Sequence, residues 1–132
     1  MAAIRTPLAR ARGLGASKHG VGHFLAQRVT AIGLVLLVVW AAAAAVGLSQ
    51  GGYDSTTVWL RSPVNAALAS LTAIAAFWHM QLGMRVIIED YIGRPATKAV
   101  LLVGSVFLCW LGGALTILSI LKVALMSAGT SV

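Results

Sequence analysis

One histidine stands deep inside a long apolar stretch: His79, in FWHMQLGMR, with Asp90 and Tyr91 eleven and twelve residues further on. At a helical rise of about 1.5 Å per residue, His79 lies roughly 18 Å from Tyr91, close to mid-bilayer if Tyr91 marks a membrane face. An ionisable side chain at that depth is costly and by default marks a functional site. Two readings stay open. The imidazole can serve as an axial ligand to haem iron, with a helix bundle enclosing the macrocycle, or it can be a neutral group hydrogen-bonded to a neighbouring helix. No other histidine occurs at this depth, so the chain can supply one axial ligand and a partner must supply the other. Gly83, one turn after His79, leaves room for a flat cofactor or for close helix packing.

Glu89, Asp90 and Tyr91 close the same segment, with Arg85 four residues before Glu89 and therefore on its helical face. Arg85 and Glu89 read as a simple i,i+4 ion pair, although in the order that suits the helix dipole less. Asp90 and Tyr91 offer an acceptor beside a donor at the depth of a quinone headgroup; a tyrosine there is also a common interfacial anchor. HGVGHFLAQRVTA adds His19, His23, Gln27 and Arg28 at the start of the first apolar run. Arg28 can pair with a haem propionate or anchor the helix to lipid headgroups, and sequence does not choose between them.

The elements that must hold these residues are membrane helices. Of 132 residues, 59% are hydrophobic and 10% charged, against about 25% charged in soluble domains. Three runs lack Asp, Glu, Lys and Arg: between Arg28 and Asp54, between Arg61 and Arg85, and between Lys98 and Lys122. Each exceeds the roughly 20 residues that cross a hydrocarbon core, and only helices satisfy a single segment's backbone there. The expected fold is all-α: a basic N-terminal tail over 1–24, a transmembrane domain over 25–124 with spans at about 26–49, 64–91 and 97–122, and a short tail over 125–132. Gly47, Gly51 and Gly52 with Asp54 mark an external turn, Ser62-Pro63 opens the second helix, and Gly93 with Pro95 ends it.

Charge then sets orientation. With three spans, Arg5, Arg10, Arg12, Lys18, Arg28, Arg85, Arg94 and Lys98 share one face, against Arg61 and Lys122 on the other. The positive-inside rule makes the first face cytoplasmic, or matrix-side in an organelle. The acid-free start superficially matches an organelle transit peptide, but a cytoplasmic tail leading into the first span explains it as well. A bacterial inner membrane is therefore expected rather than a mitochondrial one, and a secretory signal lacks its small-residue cleavage site. The net charge of +7 belongs to the lipid bilayer and not to nucleic acid, because no aromatic-basic pattern suggests base stacking. Cys109 is a single cysteine in an apolar run, which excludes a disulfide scaffold and a cysteine metal site. Trp59 reads as an interfacial residue, and Trp40, Trp78 and Trp110 as packing residues.

HGVGHFLAQRVTA in the first span and HMQLGMRVIIEDY in the second together resemble the hydrophobic membrane anchor, or D subunit, of succinate dehydrogenase. The resemblance runs from Ser17 to Lys122, and its specific element is the histidine with Gly four residues on and Asp-Tyr eleven and twelve on. It implies half of a heterodimeric haem-binding helix bundle: a second three-helix anchor (C), an iron-sulfur subunit (B) and a flavoprotein (A) as partners, with one shared haem b and ubiquinone as substrate. It also implies His79 as the haem iron's axial ligand, Arg28 near the propionates, and Tyr91 and Asp90 at the quinone. No catalytic residue is assigned to this chain, since succinate chemistry is expected on other subunits. The Ser-Pro-His and His-Arg motifs of the C subunit are absent, which favours D. His19, His23 and Glu89 receive no role. The alternatives are an anchor of a quinol:fumarate reductase and a cofactor-free structural membrane subunit.

Overall fold

The computed structural model describes residues 7–8 and 20–126. The basic tail with Arg5, Arg10, Arg12, Lys18 and His19, and residues 127–132, lie outside the described residues. Four helices follow one another: α1 (Gly20–Leu48), α2 (Gly52–Leu60), α3 (Pro63–Tyr91) and α4 (Pro95–Met126). Three of them, α1, α3 and α4, are long and apolar enough to cross a membrane, and α3, which carries His79, Gln81 and Arg85, is the least apolar. A helix of 29 residues reaches about 44 Å, which exceeds a hydrocarbon core of about 30 Å and takes its ends into the headgroup layers.

The helix ends follow the local chemistry. Ser62 is extended and Pro63 occupies the first turn of α3, where its missing N–H costs nothing. Past Ile92 the chain breaks at Gly93 and Arg94, and Pro95 opens α4. Lys98 Nζ donates to the Glu89 carbonyl oxygen at 2.8 Å, a cation closing the negative end of α3. The turn between α1 and α2 needs Gly52, whose φ of +64° lies in the left-handed region that glycine adopts without strain.

Helix α3 is the middle of the molecule. It packs against α1 on one side and α4 on the other, while α1 and α4 do not meet, and α2 touches all three at one end. Against α4, the ring of Phe77 fits over Gly112 and Gly113, and a Cβ built at Gly112 would lie 2.6 Å from Phe77 Cε1. At the α2 end, Trp40 stacks on Trp59 with centroids 5.5 Å apart, and Asn65 Nδ2 donates to the Trp59 carbonyl at 3.0 Å. Only Ala73, Leu82, Ile88, Ser105 and Cys109 are buried side chains among the described residues. Three helices in this open arrangement leave most of their apolar surface to lipid or to other proteins.

One sequence expectation changes here. The external turn at Gly51–Asp54 contains the start of a nine-residue helix, α2, held by Trp40 and Asn65. Trp78 and Trp110 are 56% and 75% exposed and line a groove along α3 and α4 together with Phe77. Trp40 packs, and its partner is Trp59.

Candidate functional site

His79 points into the seam between α3 and α1. Its Nδ1 lies 3.0 Å from Thr30 Oγ1, and Thr30 Oγ1 in turn lies 2.8 Å from the Ala26 carbonyl oxygen and 3.1 Å from that of Gln27. The His79 Nε2 has no hydrogen-bond partner among the described residues and is not sealed from the surface. One turn along α3, Gly83 faces Gln27, whose Nε2 would lie 4.0 Å from a Cβ built there. Gly83 therefore lies on the helix-packing face, and the seam is antiparallel: Thr30 is level with His79, and Gln27 with Gly83.

Continuing down the same α1 face, His23 has its Nε2 buried without a hydrogen-bond partner among the described residues. Arg28 faces elsewhere. It is exposed, and its guanidinium sits 5.1 Å from the centre of the Phe24 ring, within cation–π range. No contact joins it to His79 among the described residues.

At the end of α3, Arg85 Nε donates to Glu89 Oε1 at 2.8 Å, the pair that the i,i+4 spacing suggests; both side chains are largely exposed. Asp90 and Tyr91 are exposed, Tyr91 by 82%, and neither makes a side-chain hydrogen bond to another described residue. Successive helical residues diverge by about 100°, so the carboxylate and the phenol present two directions to whatever approaches this end. His79 and Tyr91 are separated along α3 by about 18 Å.

Two apolar grooves run along α3 and α4, one lined by Phe77, Trp78, Trp110 and Ile117 and one by Gln81, Arg85, Glu89 and Phe107. Neither is lined by His79, Asp90 or Tyr91. Among the described residues no three His, Cys, Asp or Glu side chains converge, and Cys109 is free and buried. His79 and His23 therefore stand as separate imidazoles and not as parts of a cluster.

The model of the succinate dehydrogenase/fumarate reductase transmembrane subunit family matches residues 2–119. The chain belongs to this family. Among its curated relatives, the succinate dehydrogenase hydrophobic membrane anchor subunit of Rickettsia conorii is 32% identical over 101 residues, which covers 76% of this chain and 80% of that one. That of Rickettsia bellii is 31% identical over 100 residues, with 76% and 80% covered. That of Paracoccus denitrificans is 30% identical over 105 residues, with 77% and 79% covered. No solved structure matches at a significant level. With these relatives and three apolar helices of spanning length, it is a multi-pass membrane protein of bacterial type. Sequence alone gives no reason to single out Thr30, a threonine in an apolar run; only the α1–α3 seam brings it to His79.

Proposed function

We propose that this chain is the small membrane anchor of a succinate:quinone oxidoreductase, where it holds one side of a single haem b and one edge of the ubiquinone site. The observation that carries this reading is the pair of features on α3 of a family member: a mid-helix imidazole with its Nε2 unengaged, and an exposed Asp90–Tyr91 pair at the helix end.

His79 would supply one axial nitrogen, and a second membrane anchor would supply the other and cover much of the exposed apolar surface. When bound, the haem supplies a one-electron redox centre within the bilayer. Arg28, at the charged end of α1, would turn from Phe24 toward a propionate. An iron-sulfur subunit and a flavoprotein would dock at the end of the bundle where Arg28, Arg85, Arg94 and Lys98 gather, and the positive-inside rule makes that end cytoplasmic. Succinate is oxidised on those subunits and not on this chain.

At the end of α3, the Tyr91 hydroxyl donates a hydrogen bond to a quinone carbonyl, an interaction that strengthens as negative charge develops on that oxygen. Asp90, beside it and open to the aqueous face, orients the headgroup or passes protons to it. The family description also covers fumarate reductases; the relatives named for succinate dehydrogenase favour the succinate-oxidising direction.

The test is Tyr91→Phe in the assembled complex. Quinone reduction is expected to fall by roughly a hundredfold or more, the scale for loss of one donor to a developing oxyanion, while succinate oxidation by an artificial dye stays intact. Equal loss of both activities would remove Tyr91 from the quinone site.

A further inference from the structure

We infer that Thr30 is a positioning residue for His79: its hydroxyl accepts a hydrogen bond from His79 Nδ1–H and so fixes the imidazole in the tautomer whose Nε2 lone pair is free to bind iron. This inference rests on the haem-ligand reading above and goes beyond it, to the neighbour that decides which ring nitrogen is available.

A threonine hydroxyl carries one proton and two lone pairs, and a neutral imidazole carries one N–H and one lone pair. Thr30 Oγ1 lies 2.8 Å from the Ala26 carbonyl and 3.1 Å from the Gln27 carbonyl. Carbonyl oxygens only accept, so the hydroxyl proton points back along α1, as it does for threonines that bond to the preceding turn of their own helix. What Oγ1 then presents to His79, 3.0 Å away, is a lone pair. With the hydroxyl proton so directed, Nδ1 donates and Nε2 is the unprotonated nitrogen. The opposite assignment would put a proton on Nε2 and block it as a ligand.

Metal-bound histidines generally have the second nitrogen held in this way. The acceptor fixes the ring's orientation and raises its basicity, and losing it typically weakens metal binding by 10- to 100-fold. Two features of the fold favour Thr30 in this part. It comes from a different helix, so it also fixes how α1 and α3 are rotated against each other. Gln27 lies beside Gly83 one turn away, so the α1–α3 seam continues past the Thr30–His79 bond.

The experiment compares Thr30→Val, Thr30→Ser, His79→Ala and wild type in complexes purified with their native partners, reading haem midpoint potential and the low-spin ferric paramagnetic resonance signal. Valine keeps the shape and removes the acceptor; serine keeps the acceptor. Thr30→Val is expected to raise the potential, because a less basic imidazole favours ferric iron less. A tenfold loss of ferric preference reads as about 59 mV for a one-electron couple. The ferric signal should shift with it, and Thr30→Ser should stay near wild type on both readouts. If Thr30→Val proves too unstable to purify, Thr30→Ala, which is smaller at the same seam, carries the same expectation. Unchanged potential and signal in Thr30→Val, with His79→Ala altering or removing the haem, would overturn the role of Thr30 alone. An unchanged haem in His79→Ala would overturn the ligand reading itself. Equal effects from Val and Ser would make Thr30 a packing residue and overturn the hydrogen-bond role.

Discussion

Two adjacent glycines on α4 should respond oppositely to the same substitution. A Cβ at Gly112 would lie 2.6 Å from Phe77 Cε1 and 3.1 Å from Cζ. Ordinary carbon–carbon contact begins near 3.5 Å, so the overlap is about 1 Å. Phe77 is wedged between α3 and α4, and its ring cannot swing away freely as a lysine tip could. Gly112→Ala must therefore displace the ring or part the helices, at about 1–3 kcal/mol, the usual scale for overpacking. The gain in helix propensity on replacing glycine by alanine, up to about 1 kcal/mol, offsets some of it. At Gly113 the nearest Phe77 atoms would be 3.5 Å away, which is contact without overlap, so Gly113→Ala should be neutral or slightly stabilising. The assay is thermal or denaturant unfolding of the detergent-solubilised complex. The expected order is Gly112→Ala below wild type, Gly113→Ala at or above it, and recovery of Gly112→Ala by adding Phe77→Leu. Equal tolerance at both positions, or no recovery in the double variant, would refute the Phe77 notch as the α3–α4 lock.

Two further outcomes follow from the same geometry. Arg28→Ala in the assembled complex should lower haem retention if the guanidinium leaves Phe24 for a propionate; haem content equal to wild type, measured by pyridine haemochrome, would make it a headgroup anchor. Trp59→Ala should loosen the α2 cap by about 0.5–1.5 kcal/mol beyond lost burial, the worth of a stacked aromatic pair. Trp40→Ala should do the same, and a double variant no worse than either single one would confirm that the two rings act as one unit.

What sequence reveals and what it conceals divides along the local and the tertiary. The three long helices announce themselves because runs free of charge longer than 20 residues have no other stable form in lipid. The start of α3 at Ser62-Pro63, the break at Gly93–Pro95 and the Arg85–Glu89 pair are equally local, and each is present. Helix α2 is concealed because GYDSTTVWL has no apolar period of its own; it is held by Asn65 just beyond its end and by Trp40 from the preceding helix. The same holds for Thr30 and for the Gly112–Gly113 notch, whose partners His79 and Phe77 are named only by how the helices face. Trp78 and Trp110 line an α3–α4 groove and stay partly exposed, since an apolar ring in a membrane chain can face lipid or a partner as well as its own neighbours. His79 is legible as an anomaly because mid-bilayer charge is expensive, while the direction of its free nitrogen is a property of the α1–α3 seam.

The most direct test of the haem-anchor proposal is a reduced-minus-oxidised absorption spectrum of the complex purified with its native partners, wild type against His79→Ala. A b-type haem signal in wild type that weakens or shifts in His79→Ala is expected. An identical signal in both proteins, or no haem in wild type, would contradict axial ligation by His79.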